Sequence, residues 1–305
     1  MQYGYFDNEN REYVIDRVDV PVSWTNYIGI KDMYGVFDHT AAGYLCYKVP
    51  EYHRITRFRP NQVVEGPGHY VYIRDNDTGD FWSVSWQPVG KDKAKYSCRH
   101  GLSYVKYLCD YSDIHARQTL FVAMDEPVEI WDVLLRNDSG KPRNLSVFSY
   151  LEFSFHQIPM DNQNFQMSLY AAGSRYEGGV IEHDLYYEEK GYQYFTSDFE
   201  PDGFDCLREK FIGRYRSERN PEVVETGVTT GSFRKGGNHC GVLKKNVTLA
   251  PGEEARLLFL LGEGGIEAGK SAKARCNQAW ADDNFARLAK FWDDRLSCLQ
   301  VSTPN

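Results

Sequence analysis

No stretch of the 305 residues approaches the ~18 consecutive apolar residues that a membrane span requires. The opening Met1-Gln2-Tyr3-Gly4-Tyr5-Phe6-Asp7 lacks the basic start and apolar run of a secretory leader. A basic block is missing too: 35 Lys and Arg stand against 43 Asp and Glu, for a formal charge of −8, so there is nothing to lead a nucleic-acid backbone. The seven cysteines (Cys46, Cys98, Cys109, Cys206, Cys240, Cys276 and Cys298) form no CxxC pair and no His/Cys cluster of zinc spacing. An odd, scattered set reads as free thiols in a reducing compartment, and no metal site is expected. These absences predict a cytoplasmic protein, in which the sequons at Asn137, Asn144 and Asn246 are chance matches.

What is abundant is aromatic: 22 Tyr, 17 Phe and 6 Trp. Such rings suit strands and cores, and Tyr and Trp also offer flat faces to sugar rings. From residue 1 to about 265, short β-type runs alternate with Gly, Pro, Asn and Asp turns, the pattern of a sandwich. Val128–Leu134 and Leu145–Phe148, joined through Asn137-Asp138-Ser139-Gly140-Lys141-Pro142, predict a hairpin. A second pair is expected from Val242–Val247 and Arg256–Leu260 across Pro251-Gly252, with the apolar run Leu257–Leu260 covered on both faces. After Gly262-Glu263-Gly264-Gly265 the character changes. Ser271 to Leu299 has neither Pro nor Gly, and Phe285, Leu288, Trp292, Leu296 and Leu299 fall on one stripe, predicting one or two helices that need a covering surface.

Four local patterns suggest chemistry, and each has a plainer reading. Asp198-Phe199-Glu200-Pro201-Asp202-Gly203 with Glu209 nearly spells a calcium loop, but Pro201 and the missing flanking helices favour a solvated acidic turn. Glu152, on an alternating strand, could be a catalytic acid, yet no second carboxylate is placed opposite it by a recognisable motif. His239 beside Cys240 suggests a nucleophile pair, but such partners meet in space rather than in sequence. Arg234-Lys235-Gly236-Gly237-Asn238 could cradle phosphate, although it lacks the GxxxxGK[ST] pattern.

Several blocks together carry a family resemblance. Tyr3-Gly4-Tyr5-Phe6-Asp7-Asn8-Glu9-Asn10-Arg11-Glu12-Tyr13-Val14-Ile15, Trp24-Thr25-Asn26-Tyr27-Ile28-Gly29, Thr40-Ala41-Ala42-Gly43-Tyr44, Arg54-Ile55-Thr56-Arg57-Phe58-Arg59, Arg99-His100-Gly101-Leu102-Ser103-Tyr104 and Phe148-Ser149-Tyr150-Leu151-Glu152-Phe153 resemble, in order, blocks of the inverting disaccharide phosphorylases of glycoside hydrolase family 94. Pro67-Gly68-His69-Tyr70-Val71-Tyr72, Trp86-Gln87-Pro88-Val89, Asn162-Gln163-Asn164, Gln166-Met167-Ser168-Leu169-Tyr170 and Asn238-His239-Cys240-Gly241 look most like the branch acting on N,N′-diacetylchitobiose. Cellobiose phosphorylases carry Arg where this chain has Met167, and the cellobionic acid branch stays open.

The resemblance implies a mostly β chain: a β-supersandwich of galactose mutarotase type over 1–265, then linker helices over 266–305 leading to a catalytic (α/α)6 barrel outside this chain. It also implies a homodimer, and substrates that are a disaccharide and inorganic phosphate, with no cofactor. The catalytic acid and phosphate cradle would belong to the barrel, leaving no catalytic residue here. Gln166 and Met167, with Asn164 as a weaker candidate, would wall the accepting sugar. Gln166 can donate to and accept from a sugar hydroxyl or acetamide, and Met167 offers adaptable apolar surface to an acetyl methyl. A freestanding carbohydrate-binding module is the alternative from another class.

Overall fold

A computed structural model describes residues 2–58, 66–163, 165–186 and 191–301. Strands dominate, in three antiparallel sheets. The largest has ten strands, ordered β1 (Gly4–Asp7), β2 (Glu12–Ile15), β8 (Lys95–Gly101), β9 (Tyr104–Tyr111), β10 (Ile114–Val122), β11 (Val128–Asn137), β18 (Glu254–Glu263), β15 (Gly191–Ser197), β14 (Val180–Leu185) and β13 (Ala172–Glu177). The second runs β16 (Gly203–Leu207), β17 (His239–Leu249), β12 (Arg143–Glu152), β6 (Tyr70–Asp75) and β7 (Phe81–Ser83). The third is the meander β3 (Thr25–Ile28), β4 (Met33–Asp38) and β5 (Gly43–Tyr47).

Local chemistry makes the true hairpins. Ser112 and Asp113 both adopt positive φ between the paired ends Tyr111 and Ile114, and Gly178-Gly179 do the same between Glu177 and Val180. Two successive left-handed residues give the turn whose twist matches flanking strands. In β9 the inward parity is Val105, Tyr107 and Cys109, all buried, between half-exposed neighbours.

Both hairpins expected from the sequence are corrected. β11 pairs with β10 and β18, whereas β12, across the Asn137–Pro142 turn, pairs with β17 and β6. Likewise β17 and β18 lie in different sheets. Each connection is therefore an arch that carries the chain from one sheet to the other. The two arches brace each other: Gly252 N–H donates to Asn137 O at 2.7 Å and Asn137 N–H to Glu253 O at 3.0 Å. The Asn137 side chain donates to Lys141 O and Leu249 O. Polar turn chemistry serves an arch as well as a hairpin, and what separates them is where strand hydrogen bonds go. Val133 and Leu135 of β11 and Leu145 and Val147 of β12 consequently share the main core between the sheets.

The two-sided burial expected of Leu257–Leu260 is present. Leu257, Phe259 and Leu261 enter the main core, while Leu258 and Leu260 enter a second one beneath helices α5 (Ile266–Arg275) and α6 (Gln278–Leu296). Those two helices realise the predicted stripe: Leu288 is buried, and Phe285 meets Tyr104 and Phe121 edge-on. Its far end behaves otherwise, with Leu296 half-exposed beside a cleft lined by Phe6, Tyr13 and Trp24, and Leu299 exposed. Among the described residues four short helices complete the fold: α1 (Ile158–Gln163), α2 (Phe165–Tyr170), α3 (Arg208–Ile212) and α4 (Glu222–Thr226). Phe211 of α3 stacks on Tyr150 of β12, ring centroids 5.0 Å apart.

Candidate sugar-contacting site

β12 ends at Glu152, and the chain then crosses to α1 and α2 before re-entering the large sheet at β13. The crossing segment is pinned at both ends by backbone bonds. Ile158 N–H donates to Glu51 O at 2.9 Å and Arg54 N–H to His156 O at 3.0 Å. At the other end Gly237 N–H donates to Leu169 O, and Gly236 N–H to Ala172 O, both at 2.7 Å. Gly236 and Gly237 have φ of 72° and 111°, left-handed values that let the 234–238 loop lie flat against this end.

Gln166 sits exposed on α2. Met167 shares that helix, but its side chain lies outside the described residues, as does Asn164 altogether. The surroundings of α2 are aromatic and cationic. Tyr170 is 81% exposed, and Tyr186, whose N–H donates to Ala171 O at 2.7 Å, is half-exposed with the Lys235 ammonium 5.1 Å from its ring. An amide with both donor and acceptor, on the same short helix as an open Tyr ring, is chemistry for a polyhydroxylated ligand.

Below lies a buried charge network that the sequence reading did not assemble. The Glu152 carboxylate accepts from Tyr150 Oη at 2.7 Å, Arg208 Nε at 2.8 Å and Arg57 Nη1 at 3.3 Å. Burial works against its charge, but Arg57 and Arg208 outweigh it and hold the carboxyl below its ordinary range. Glu152 is thus held as an anion by three donors, with its carboxylate oxygens engaged within the protein. Arg57 Nη1 also donates to Asn238 Oδ1, and its Nε is 3.6 Å from Asp161 Oδ2 on α1. Arg208 pairs in addition with Glu218. One signal could have found this network: Arg57 and Glu152 each place a charge in strand-like sequence with apolar neighbours, Ile55 and Phe58 for one, Leu151 and Phe153 for the other.

Beside it runs a column of imidazoles. His53 Nε2 meets Glu263 Oε1 at 2.9 Å, and its ring stacks on His156 at 4.1 Å. His156 Nε2 bonds Gln193, whose Oε1 accepts from His183 Nδ1 at 2.8 Å. His183 lies flat on Phe153, and His239 Nδ1 contacts Ser174 Oγ at 3.0 Å. Burial pulls His156 down to about 3 and His239 to about 4, keeping both neutral.

The other tempting patterns resolve into structure. Cys240 is buried with its thiol pushed well up, so it pairs with His239 in sequence but not as a nucleophile. The would-be calcium ligands serve separate protein donors: Asp198 accepts Leu258 N–H at 2.9 Å, Asp202 accepts Asn246 N–H at 2.7 Å, and Glu209 pairs with Arg234. That pairing leaves Lys235 as the open cation of the glycine loop among the described residues. All seven cysteines are free, and among the described residues no helix is long and apolar enough to cross a membrane.

Comparison with known proteins agrees with this architecture. The chain is 51% identical over 310 residues to the N,N′-diacetylchitobiose phosphorylase of Vibrio proteolyticus and 49% identical over 310 residues to that of Vibrio furnissii. Each match covers 100% of this chain and 39% of the relative, so the chain spans about two fifths of their length. A bacterial glucoamylase complexed with acarbose shares the fold at TM-score 0.56 and 8% identity, over 95% of this chain and 41% of that one. Residues 11–281 match the family model described as glycosyl hydrolase 94, supersandwich domain, and the chain belongs to that family.

Proposed function

We propose that this chain is the site-completing, non-catalytic part of an inverting β-glycoside phosphorylase that acts on a chitobiose-like disaccharide. The observation that carries the reading is the 51% identity over the entire chain to a chitobiose phosphorylase more than twice as long. Phosphate is already a charged nucleophile, so the reaction needs one carboxylic acid for the leaving oxygen and a cationic cradle for phosphate, without a separate base. Attack at the anomeric carbon would release the reducing sugar and leave an α-sugar 1-phosphate. No organic cofactor or metal enters, and phosphate is a substrate.

In this reading the acid belongs to a helical barrel joined through the 266–305 linker, and Gln166, Met167 and Asn164 wall the accepting sugar across a homodimer. Supporting it on the chain's own side are the open Gln166 and Tyr170 on α2 and a buried Glu152 whose carboxylate is taken up by Tyr150, Arg57 and Arg208. The test is assay of the full-length polypeptide with phosphate and chitobiose, cellobiose or cellobionic acid. Sugar 1-phosphate should form fastest from chitobiose, as N-acetylglucosamine 1-phosphate, and Gln166→Ala should raise KM about tenfold, the loss of roughly one ligand hydrogen bond. Sugar phosphate made by the isolated chain, or preferential turnover of cellobiose, would overturn the proposal.

A further inference from the structure

Gln166 is carried on a six-residue helix, too short to hold its own position, so something must set where it stands. α1 and α2 are separated by a single residue and contact each other, which makes them one element. The backbone pins at Glu51, His156, Leu169 and Ala172 fix its ends. Between the ends, one described side chain reaches three elements at once. Arg57 bonds Glu152 at the end of β12, faces Asp161 on α1 and bonds Asn238 in the loop that holds the end of α2. Its own N–H donates to Glu152 O at 2.9 Å, so the guanidinium is anchored to β12 before it reaches outward.

We propose that Arg57 is the positioning residue for the sugar-contacting helix pair, with Glu152 and Arg208 as its buttress. The guanidinium is planar and presents donors in a fixed fork, so one group can serve a strand, a helix and a loop with each distance set by the others. Arg57 and Glu152 are each only 3% exposed on their side chains, so water does not screen the pair and the fork does not wander. Arg208 makes the buttress rigid from the other side: its side chain bonds Glu152, and its backbone N–H bonds Asn238 O at 2.9 Å, the residue whose side chain Arg57 holds. A lysine at 57 would keep the charge but has no fork, so it cannot hold the three partners in one plane.

The inference rests on Gln166 contacting the accepting sugar, and its test separates the two ideas. In the full-length enzyme, Arg57→Lys should raise KM for the disaccharide about tenfold with kcat within about twofold, because the contact is misplaced while the chemistry is untouched. Hydrogen exchange should quicken about tenfold at the amides of residues 158–170, with β12 and β17 unchanged, since loosening is local. Asp161→Asn, which keeps the shape and removes the charge facing Arg57, should shift both readouts the same way by less. Unchanged exchange over 158–170 in both variants overturns the proposal, as does exchange that rises equally in β12 and β17, which would make Arg57 a general prop. If exchange quickens but Gln166→Ala leaves KM alone, the positioning stands and the sugar contact fails. If Gln166→Ala raises KM while Arg57→Lys moves neither readout, the contact stands and the positioning fails.

Discussion

At the scale of single residues, the interior of this sandwich is more polar than its strand pattern suggests. Glu129 is wholly buried between Trp131 Nε1, which donates at 2.8 Å, and His69 Nδ1 at 3.0 Å. The imidazole is itself enclosed, 4.6 Å from the Phe37 ring and 4.8 Å from Trp131, with Nε2 at 3.1 Å from Thr56 Oγ1. His69→Leu would fill much of that space yet strip the carboxyl of one of its two side-chain donors. We expect a loss of about 2–4 kcal/mol in urea unfolding at pH 7, the penalty of a buried polar group left short of a partner. Adding Glu129→Gln should recover part of it, because the two sites share one interaction. An unmoved midpoint in His69→Leu would remove the claim. Such a residue is hard to read in sequence, since Glu129 looks like a surface charge until His69, distant in the chain, arrives. The candidate Gln166 was legible only through family resemblance; nothing in its spacing distinguishes it from a turn residue.

At the scale of elements, alternation and turn chemistry identified strands well and partners badly. The run from Val128 to Leu134 is a strand, and so is the run from Leu145 to Phe148, but the side-chain period says which faces are buried and is silent on which neighbour takes the hydrogen bonds. The C-terminal stripe was more legible because a helix satisfies its own backbone, leaving one face as the only question. That face has a testable keystone. Leu288 is 1% exposed in the second core, and the helix is tied down by Asn284, whose Oδ1 accepts Met124 N–H at 2.9 Å, and capped by Asn277, whose side chain accepts Trp280 N–H at 3.0 Å. Leu288→Ala should cost about 2–5 kcal/mol, and Asn277→Ala about 1 kcal/mol. Exchange of amides in α6 reads both, and equal effects from the two changes would mean that the cap, rather than the buried face, holds the helix.

At the scale of the whole molecule, buried neutral histidines tie stability to pH. Burial lowers His156 to about 3 and His100 and His239 to about 4, against 6.5 for an exposed imidazole. Between those values an unfolded chain binds protons that the folded chain refuses, so stability rises with pH there. Their contribution is complete above about pH 6.5 and drains as pH falls toward 4, at a slope approaching ~4 kcal/mol per pH unit for three such groups. Asp38 and Asp198, raised by burial above their ordinary 3.8, act in the opposite sense and offset part of the loss, while His183 and His39, lowered by burial, add to it. Urea midpoints at pH 7, 6 and 5 should therefore fall steeply, while ordinary surface carboxylates remain ionised. His156→Gln keeps a hydrogen-bonding side chain next to Gln193 and removes one titrating group, so its slope should be shallower by about one proton whatever its stability at pH 7. A midpoint that stays level from pH 7 to 5 would mean that these imidazoles reach water in the folded chain. The polar seam between the sheets, where the column lies against the Arg57 network, would then be open rather than sealed.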